Sequence, residues 1–295
     1  MLQRFLDPAT LAGLSGLDLV AKTVVNGFVS GLHRSPDYGF SQEFAEYRAY
    51  TPGDDLRHID WNVFARTERA YLKRYRGETN TRLLVLLDTS ASMNFGTAAV
   101  NKLDYARFVA ASLCYLASEQ RDAAGLIVFD EEVRNYVPPS SRQGQLFRLL
   151  HAIEKAEAGT RTDFTKPFAH FLNFVRPRGL VAVLSDFYED PDVIIKTIEP
   201  LRFRGNDVIL FHVLDPREIE PSFSDPVLLI DMENKGSVEV SPAYARHEYR
   251  RKIESHIAAL GAKARAAGLD YFLLNTSRPL DEGLREYLAV RRGRL

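Results

Sequence analysis

The sequence predicts a doubly wound α/β fold on a mainly parallel sheet, with an N-terminal appendage. Four short apolar runs, Arg82–Asp88, Ala124–Phe129, Leu180–Asp186 and Asp207–Leu214, lack polar alternation and suit strands buried on both faces. Segments with helical spacing separate them, which implies right-handed βαβ crossovers. Two of the runs end in an aspartate, at the carboxyl edge where such sheets bind ligands.

In chain order, Leu14, Leu17, Val20, Val24, Val25, Phe28 and Leu32 follow helical spacing and predict one amphipathic helix within Leu11–Leu32. Asp18, Lys22 and Asn26 interrupt it, so it does not read as a membrane span, which needs about 20 mostly apolar residues. Tyr38–Tyr75 is dense in aromatics and charges and predicts loops and short strands. Residues 1–81 therefore read as an appendage packed on a main domain of residues 82–295, which carries a C-terminal extension.

After the first buried strand, Lys102–Glu119 has helical spacing. Glu132–Val137 follows the second as an edge strand stopped by Pro138 and Pro139. Helices are predicted over Gly144–Glu157, Phe164–Phe174 and Pro191–Leu201, the last with proline near its start. Pro216–Pro242, with four prolines, reads as a long excursion. Ala243–Ala267 is a long helix stopped by Gly268, Tyr271–Leu274 a short strand, and Asp281–Val290 a closing helix. Phe108, Phe147, Phe168, Phe171 and Phe174 lie at helical spacing and are expected in the core.

Bulk properties bound the function. The 295 residues suffice for a large core, and 45% hydrophobic with 26% charged residues is ordinary for a globular protein. The 38 basic and 39 acidic residues nearly cancel, which argues against nucleic acid or an anionic membrane as the main partner. The single cysteine, Cys114, excludes an intrachain disulfide and sits in an apolar helical run as a small core residue. With no transmembrane segment and no secretion signal, a cytoplasmic location is expected.

The first strand runs into Asp88-Thr89-Ser90-Ala91-Ser92-Met93. An acid at a strand tip and two hydroxyls in the loop beyond can converge on one point, and oxygen donors of this kind suit a hard cation. Thr162 and Asp163 precede a helix, and Asp186 ends the third buried strand, so both can reach the same edge. Neutral serine and threonine ligands leave much of a divalent charge unneutralised, and an open coordination position then favours a carboxylate from a partner. The competing view takes Asp88 and Asp186 as strand-end or capping residues, and Ser90 or Ser92 as caps. It explains one motif better than five residues together.

In identity and order Asp88, Ser90, Ser92, Thr162 and Asp186 resemble the metal-ion-dependent adhesion site of von Willebrand factor A domains. The resemblance implies Mg²⁺ held by the two serines and the threonine, with the aspartates bound directly or through water; Mn²⁺ and Ca²⁺ are the alternatives. A second block, Phe44–Tyr50 with Pro52-Gly53-Asp54-Asp55-Leu56-Arg57 and Ile59-Asp60-Trp61, joins the metal motif and Ser185-Asp186-Phe187. Together these resemble a bacterial family catalogued as domain of unknown function fifty-eight. That resemblance implies an adaptor or co-chaperone working with a MoxR-type AAA+ ATPase, binding a partner's Asp or Glu and catalysing nothing. Asp54, Arg57 and Asp60 of the block, with Arg66 just after it, are expected to form a charged hydrogen-bond network fixing the appendage to the sheet domain; the alternative is a surface that recognises a partner.

The alternative is a Mg²⁺-dependent phosphoryl-transfer hydrolase. A haloacid-dehalogenase-like enzyme would want an aspartate two residues after Asp88, where Ser90 stands, and no Gly-x-x-x-x-Gly-Lys-Ser/Thr loop is present. A serine hydrolase would want a Gly-x-Ser-x-Gly turn, which is missing. His212, inside a strand run, reads as a hydrogen-bonded core residue.

Overall fold

The computed structural model describes residues 7–32, 44–50, 60–75, 82–97, 99–159, 163, 165–175, 178–221, 223–230, 232 and 236–292. The chain divides into two compact units, Val29–Thr79 and the remainder, Met1–Phe28 with Asn80–Leu295, so the N-terminal helical residues up to Phe28 group with the larger unit.

The first elements are helix α1 (Pro8–Ala12), capped by the Asp7 carboxylate on Thr10 N–H at 3.1 Å, and α2 (Leu17–Leu32). The single helix expected over Leu11–Leu32 is thus two. Gly16 at φ +93° adopts a left-handed conformation that ends continuity between them. The buried residues of α2 include Val20, Ala21, Val24 and Val25, the face its spacing predicts. The smaller unit pairs β1 (Phe44–Ala49) antiparallel to β2 (Tyr71–Tyr75), with α3 (Trp61–Thr67) between them. That helix was not anticipated; Asp60 caps it, accepting from Val63 N–H at 3.3 Å. Asp54 and Arg57 lie outside the described residues.

The remaining elements of the larger unit are β3 (Arg82–Asp88), α4 (Lys102–Glu119), β4 (Ala123–Phe129), β5 (Val133–Ser140), α5 (Gln145–Glu154), α6 (Thr165–Phe174), β6 (Leu180–Ser185), α7 (Pro191–Phe203), β7 (Asp207–Leu214), α8 (Pro216–Ile219), β8 (Val227–Ile230), β9 (Ser237–Val240), α9 (Pro242–Tyr244), α10 (Arg250–Ala266), β10 (Asp270–Asn275) and α11 (Asp281–Arg292). A π-helical turn, Ala245–Tyr249, joins α9 to α10 where one continuous helix was expected. The six-stranded sheet has order β10-β7-β6-β3-β4-β5 and is parallel except for β5. The apolar runs became its interior: every residue of β6, and every residue of β3 beyond Arg82, is buried. The core on one face combines alternate strand residues (Leu84, Leu86, Ile127, Val181, Val183, Leu210) with Phe168 and Phe171 of α6, Ile194 and Ile198 of α7 and Leu260 of α10.

Three expectations are corrected. Pro138 and Pro139 do not stop β5. The strand is at the sheet edge, and the prolines fall where its register on β4 slips, between the Ala124–Ser140 and Leu126–Val137 pairs. A residue without N–H costs no ladder bond there. Phe147 and Phe174 are 76% and 38% exposed, not core. In α5 the buried face is Leu149, Leu150, Ala152 and Ile153, and Phe147 instead stacks on His151 one turn away. The Pro216–Pro242 excursion contains the β8–β9 hairpin.

Cys114 is fully buried, and burial pushes its thiol up to about 12, as suits a small core residue. His212 is buried on β7, with Nδ1 2.7 Å from the Tyr271 hydroxyl. Among the described residues, no helix is long and apolar enough to cross a membrane.

Candidate metal centre

Strand order reverses between β3 and β6: the chain leaves β3 toward β4 and β5, then returns to β6 on the other side. Doubly wound sheets open a crevice at the carboxyl ends of such a strand pair. Asp88 and Asp186 stand at those two ends.

The Asp88 loop is fixed from both sides. Thr89 donates its N–H and its hydroxyl to Phe129 O, at 2.8 and 3.0 Å, which ties the loop to the end of β4. Asp88 Oδ1 accepts the Ser90 N–H at 2.8 Å, turning the chain back over the carboxylate. A 3-10 turn, Ala91–Asn94, follows and is pinned by the fully buried Met93. The outcome is that Ser90 and Ser92 bring their hydroxyl oxygens to 3.1 Å from one another.

The β6 tip is built on a strained turn. Phe187 is fully buried with φ +47°, a conformation a non-glycine residue holds only when its surroundings over-determine it. Its N–H donates to Ser185 Oγ at 3.0 Å, and its carbonyl lies 2.9 Å from His256 Nε2. Ser185 Oγ donates in turn to Asp88 Oδ2 at 2.5 Å. One serine therefore links the turn carrying Asp186 to the carboxylate of the neighbouring strand.

The electrostatics follow from burial. Asp88 is fully buried with Asp186 close by, and burial first, Asp186 second, pushes its carboxyl up to about 7. Asp186 Oδ2 lies 2.7 Å from Lys102 Nζ, and the same ammonium lies 2.7 Å from Glu218 Oε1. Burial works against the Lys102 charge, but Asp186 and Glu218 outweigh it and hold its pKa above the usual lysine value. Burial raises Glu218 despite the lysine. When all are ionised, three carboxylates face one ammonium.

Of the five residues the sequence singles out, the structure puts Asp88, Ser90 and Ser92 in one loop and Asp186 across the crevice from it. Thr162 lies outside the described residues. Gly159, three residues earlier, donates its N–H to Thr89 O at 2.6 Å, so that loop begins against the Asp88 loop. A Cβ at Gly159 would come within 2.1 Å of Asp130 Oδ2, which makes glycine necessary for this approach. Asp163 caps α6, accepting from Thr165 N–H at 2.8 Å.

Sequence reasoning missed Ser185 as a bridge and the Lys102–Glu218 pair altogether. It also missed Asp130 and Asp215, buried just past β4 and β7. Their signal was available, because an apolar run closing on aspartate occurs four times, as Leu87-Asp88, Phe129-Asp130, Ser185-Asp186 and Leu214-Asp215.

The donor set fits a hard cation. Neighbouring oxygens in an octahedron about Mg²⁺, at about 2.1 Å from it, lie about 3.0 Å apart, close to the 3.1 Å between the Ser90 and Ser92 hydroxyls. Among the described residues, no group of three or more His, Cys, Asp or Glu side chains is placed to hold a metal, so a site here depends on hydroxyls.

The chain is 31% identical over 293 residues to a protein of Mycobacterium tuberculosis and to one of Mycobacterium bovis, both named as uncharacterised, covering 97% of this chain and 91% of each relative. Solved structures similar to it include BatB from Bacteroides thetaiotaomicron (12% identity, 72% of this chain and 99% of that one, TM-score 0.49). An aerotolerance-related membrane protein from Bacteroides fragilis is also similar (13% identity, 72% and 99%, TM-score 0.49), as is the SpRpn10 VWA domain (12% identity, 69% and 93%, TM-score 0.41). The family model described as Protein of unknown function DUF58 matches residues 46–259, and the chain belongs to that family.

Proposed function

We propose that this protein is a metal-dependent protein-binding module of the von Willebrand factor A type. Ser90 and Ser92 would hold a Mg²⁺ ion, with Asp88 and Asp186 as direct or water-mediated partners and Thr162 as a further ligand by resemblance. When bound, the ion supplies a Lewis-acidic position for a carboxylate from a partner. The protein's part is to orient the hydroxyls and hold the carboxylates. Ser90 N–H and the Ser185 hydroxyl occupy both Asp88 oxygens, which fixes that side chain. The observation that carries the reading is the pair of hydroxyls, 3.1 Å apart, in the switch-point crevice beside two aspartates.

The partner we favour is a MoxR-type AAA+ ATPase presenting an Asp or Glu, with this chain as its adaptor or co-chaperone. A phosphoryl-transfer role gains no support, since Ser90 stands where a haloacid-dehalogenase-like enzyme would carry its second aspartate. The test is association with a purified, nucleotide-free MoxR-type ATPase in Mg²⁺ or in EDTA. Association in Mg²⁺ is expected to weaken at least about tenfold in EDTA and in Asp88→Ala. Equal association in EDTA would overturn the reading.

A further inference from the structure

Lys102 stands where lysine is least expected. It is the first residue of α4, directly after the Asn101 cap, at the positive end of a helix dipole and fully buried. Nothing local favours an ammonium there. What holds it is tertiary: Asp186 Oδ2 and Glu218 Oε1, each at 2.7 Å, and the Tyr188 ring, 4.8 Å away at its centroid. Glu218 is itself anchored, because its other oxygen accepts the Asp215 N–H at 2.8 Å in the capping box of α8. The ammonium thus sits between the metal crevice and a carboxylate held by a separate element.

Resting on the metal-binding reading above, we propose that Lys102 is the charge-setting residue of this centre. The fixed groups Asp88, Asp186, Glu218 and Lys102 together carry two negative charges when ionised, which a divalent ion offsets. Without the ammonium they would carry three. The ion would then bind more tightly, and the loaded centre would keep a net negative charge that repels an incoming carboxylate. Lys102 therefore gives up metal affinity to leave the bound ion attractive to an acid.

The test uses Mn²⁺ as probe, titrated calorimetrically into the full chain at constant pH and ionic strength, with thermal melts in EDTA to verify folding. Lys102→Met is expected to bind Mn²⁺ about tenfold tighter than wild type, and Glu218→Gln, which keeps the Lys102–Asp186 pair, about tenfold weaker. The double variant restores the charge count and is expected within about threefold of wild type. A residue that only props up the fold would not move affinity in opposite directions at its two ends. Should Lys102→Met fail to fold, Glu218→Gln still decides the matter. Unchanged affinity in the folded single variants overturns the proposal. Binding by Lys102→Met but not by wild type supports the charge-setting role and sinks the metal-dependent reading. Silence toward Mn²⁺ in every folded variant overturns both.

Discussion

The four aspartates along the carboxyl edge start from the same sequence pattern and end in two different states. At the outer positions the carboxylates are consumed by the protein. Asp130 accepts the Glu132 N–H at 3.0 Å and a bidentate contact from Arg134 Nε at 2.8 Å. Asp215 accepts from Thr97 N–H at 2.7 Å, the Thr97 hydroxyl at 2.5 Å and Arg217 N–H at 2.8 Å. At the inner positions the two carboxylates part ways: Asp186 meets the Lys102 ammonium at 2.7 Å, and Asp88 meets only uncharged donors. Asp88 receives the Ser90 amide and the Ser90 and Ser185 hydroxyls, meets no cation among the described residues, and lies in the field of Asp186. Burial is nearly identical at all four, so burial does not distinguish them. What differs is the supply of N–H donors: Asp130 and Asp215 each receive two, Asp88 one. Within the switch-point pair the shortfall falls on Asp88, whose donors are amide and hydroxyl only, while Asp186 is held by the Lys102 ammonium.

Removing an outer carboxylate breaks this comparison on the structural side. Asp215→Ala takes away the α8 cap and both contacts to Thr97. A destabilisation of about 3 kcal/mol in denaturant unfolding is expected, from one lost cap and two charge-assisted hydrogen bonds. A loss too small to measure would mean that the outer aspartates are not structural.

The inner position sharpens it with the opposite sign. The Asp88 carboxyl titrates near 7 in the fold and near 3.8 in the unfolded chain. A raised folded value means that its stabilising contribution is complete below the unfolded pKa and is lost as pH rises through the folded one. At pH 8 in EDTA the ionised group is therefore a burden, and Asp88→Asn is expected to stabilise the metal-free protein by about 1 kcal/mol. At pH 4 the gain should vanish, and in saturating Mg²⁺ the ranking should reverse. Destabilisation by Asp88→Asn at pH 8 in EDTA would show that the inner carboxylate is satisfied like the outer ones.

The sheet was legible because its strands are unbroken apolar runs, and burial on both faces leaves few other readings for Leu83–Leu87 or Val181–Leu184. The Asp88 loop was legible because its donors lie within five residues. Lys102 was not, since its partners lie 84 and 116 residues away and meet it only when α4, the β6 tip and α8 close on one another. A lysine opening a helix is ordinarily solvated, so the sequence carried no warning. The Pro138–Pro139 reading, which had the edge position right, failed for a related reason: the prolines fall where the register on β4 slips, and that slip is set by pairing with a distant strand. Phe147 shows the converse, an aromatic whose helical spacing is right but whose face turns outward.

The central claim is that Ser90 and Ser92 complete a divalent-cation site in the switch-point crevice. Its most direct test is Mg²⁺ or Mn²⁺ titration of wild type and Ser90→Ala/Ser92→Ala by calorimetry. One bound ion in wild type is predicted, with affinity lowered at least about tenfold in the double variant and melting in EDTA unchanged. Equal affinity in the two proteins, or no binding to folded wild type, would contradict it.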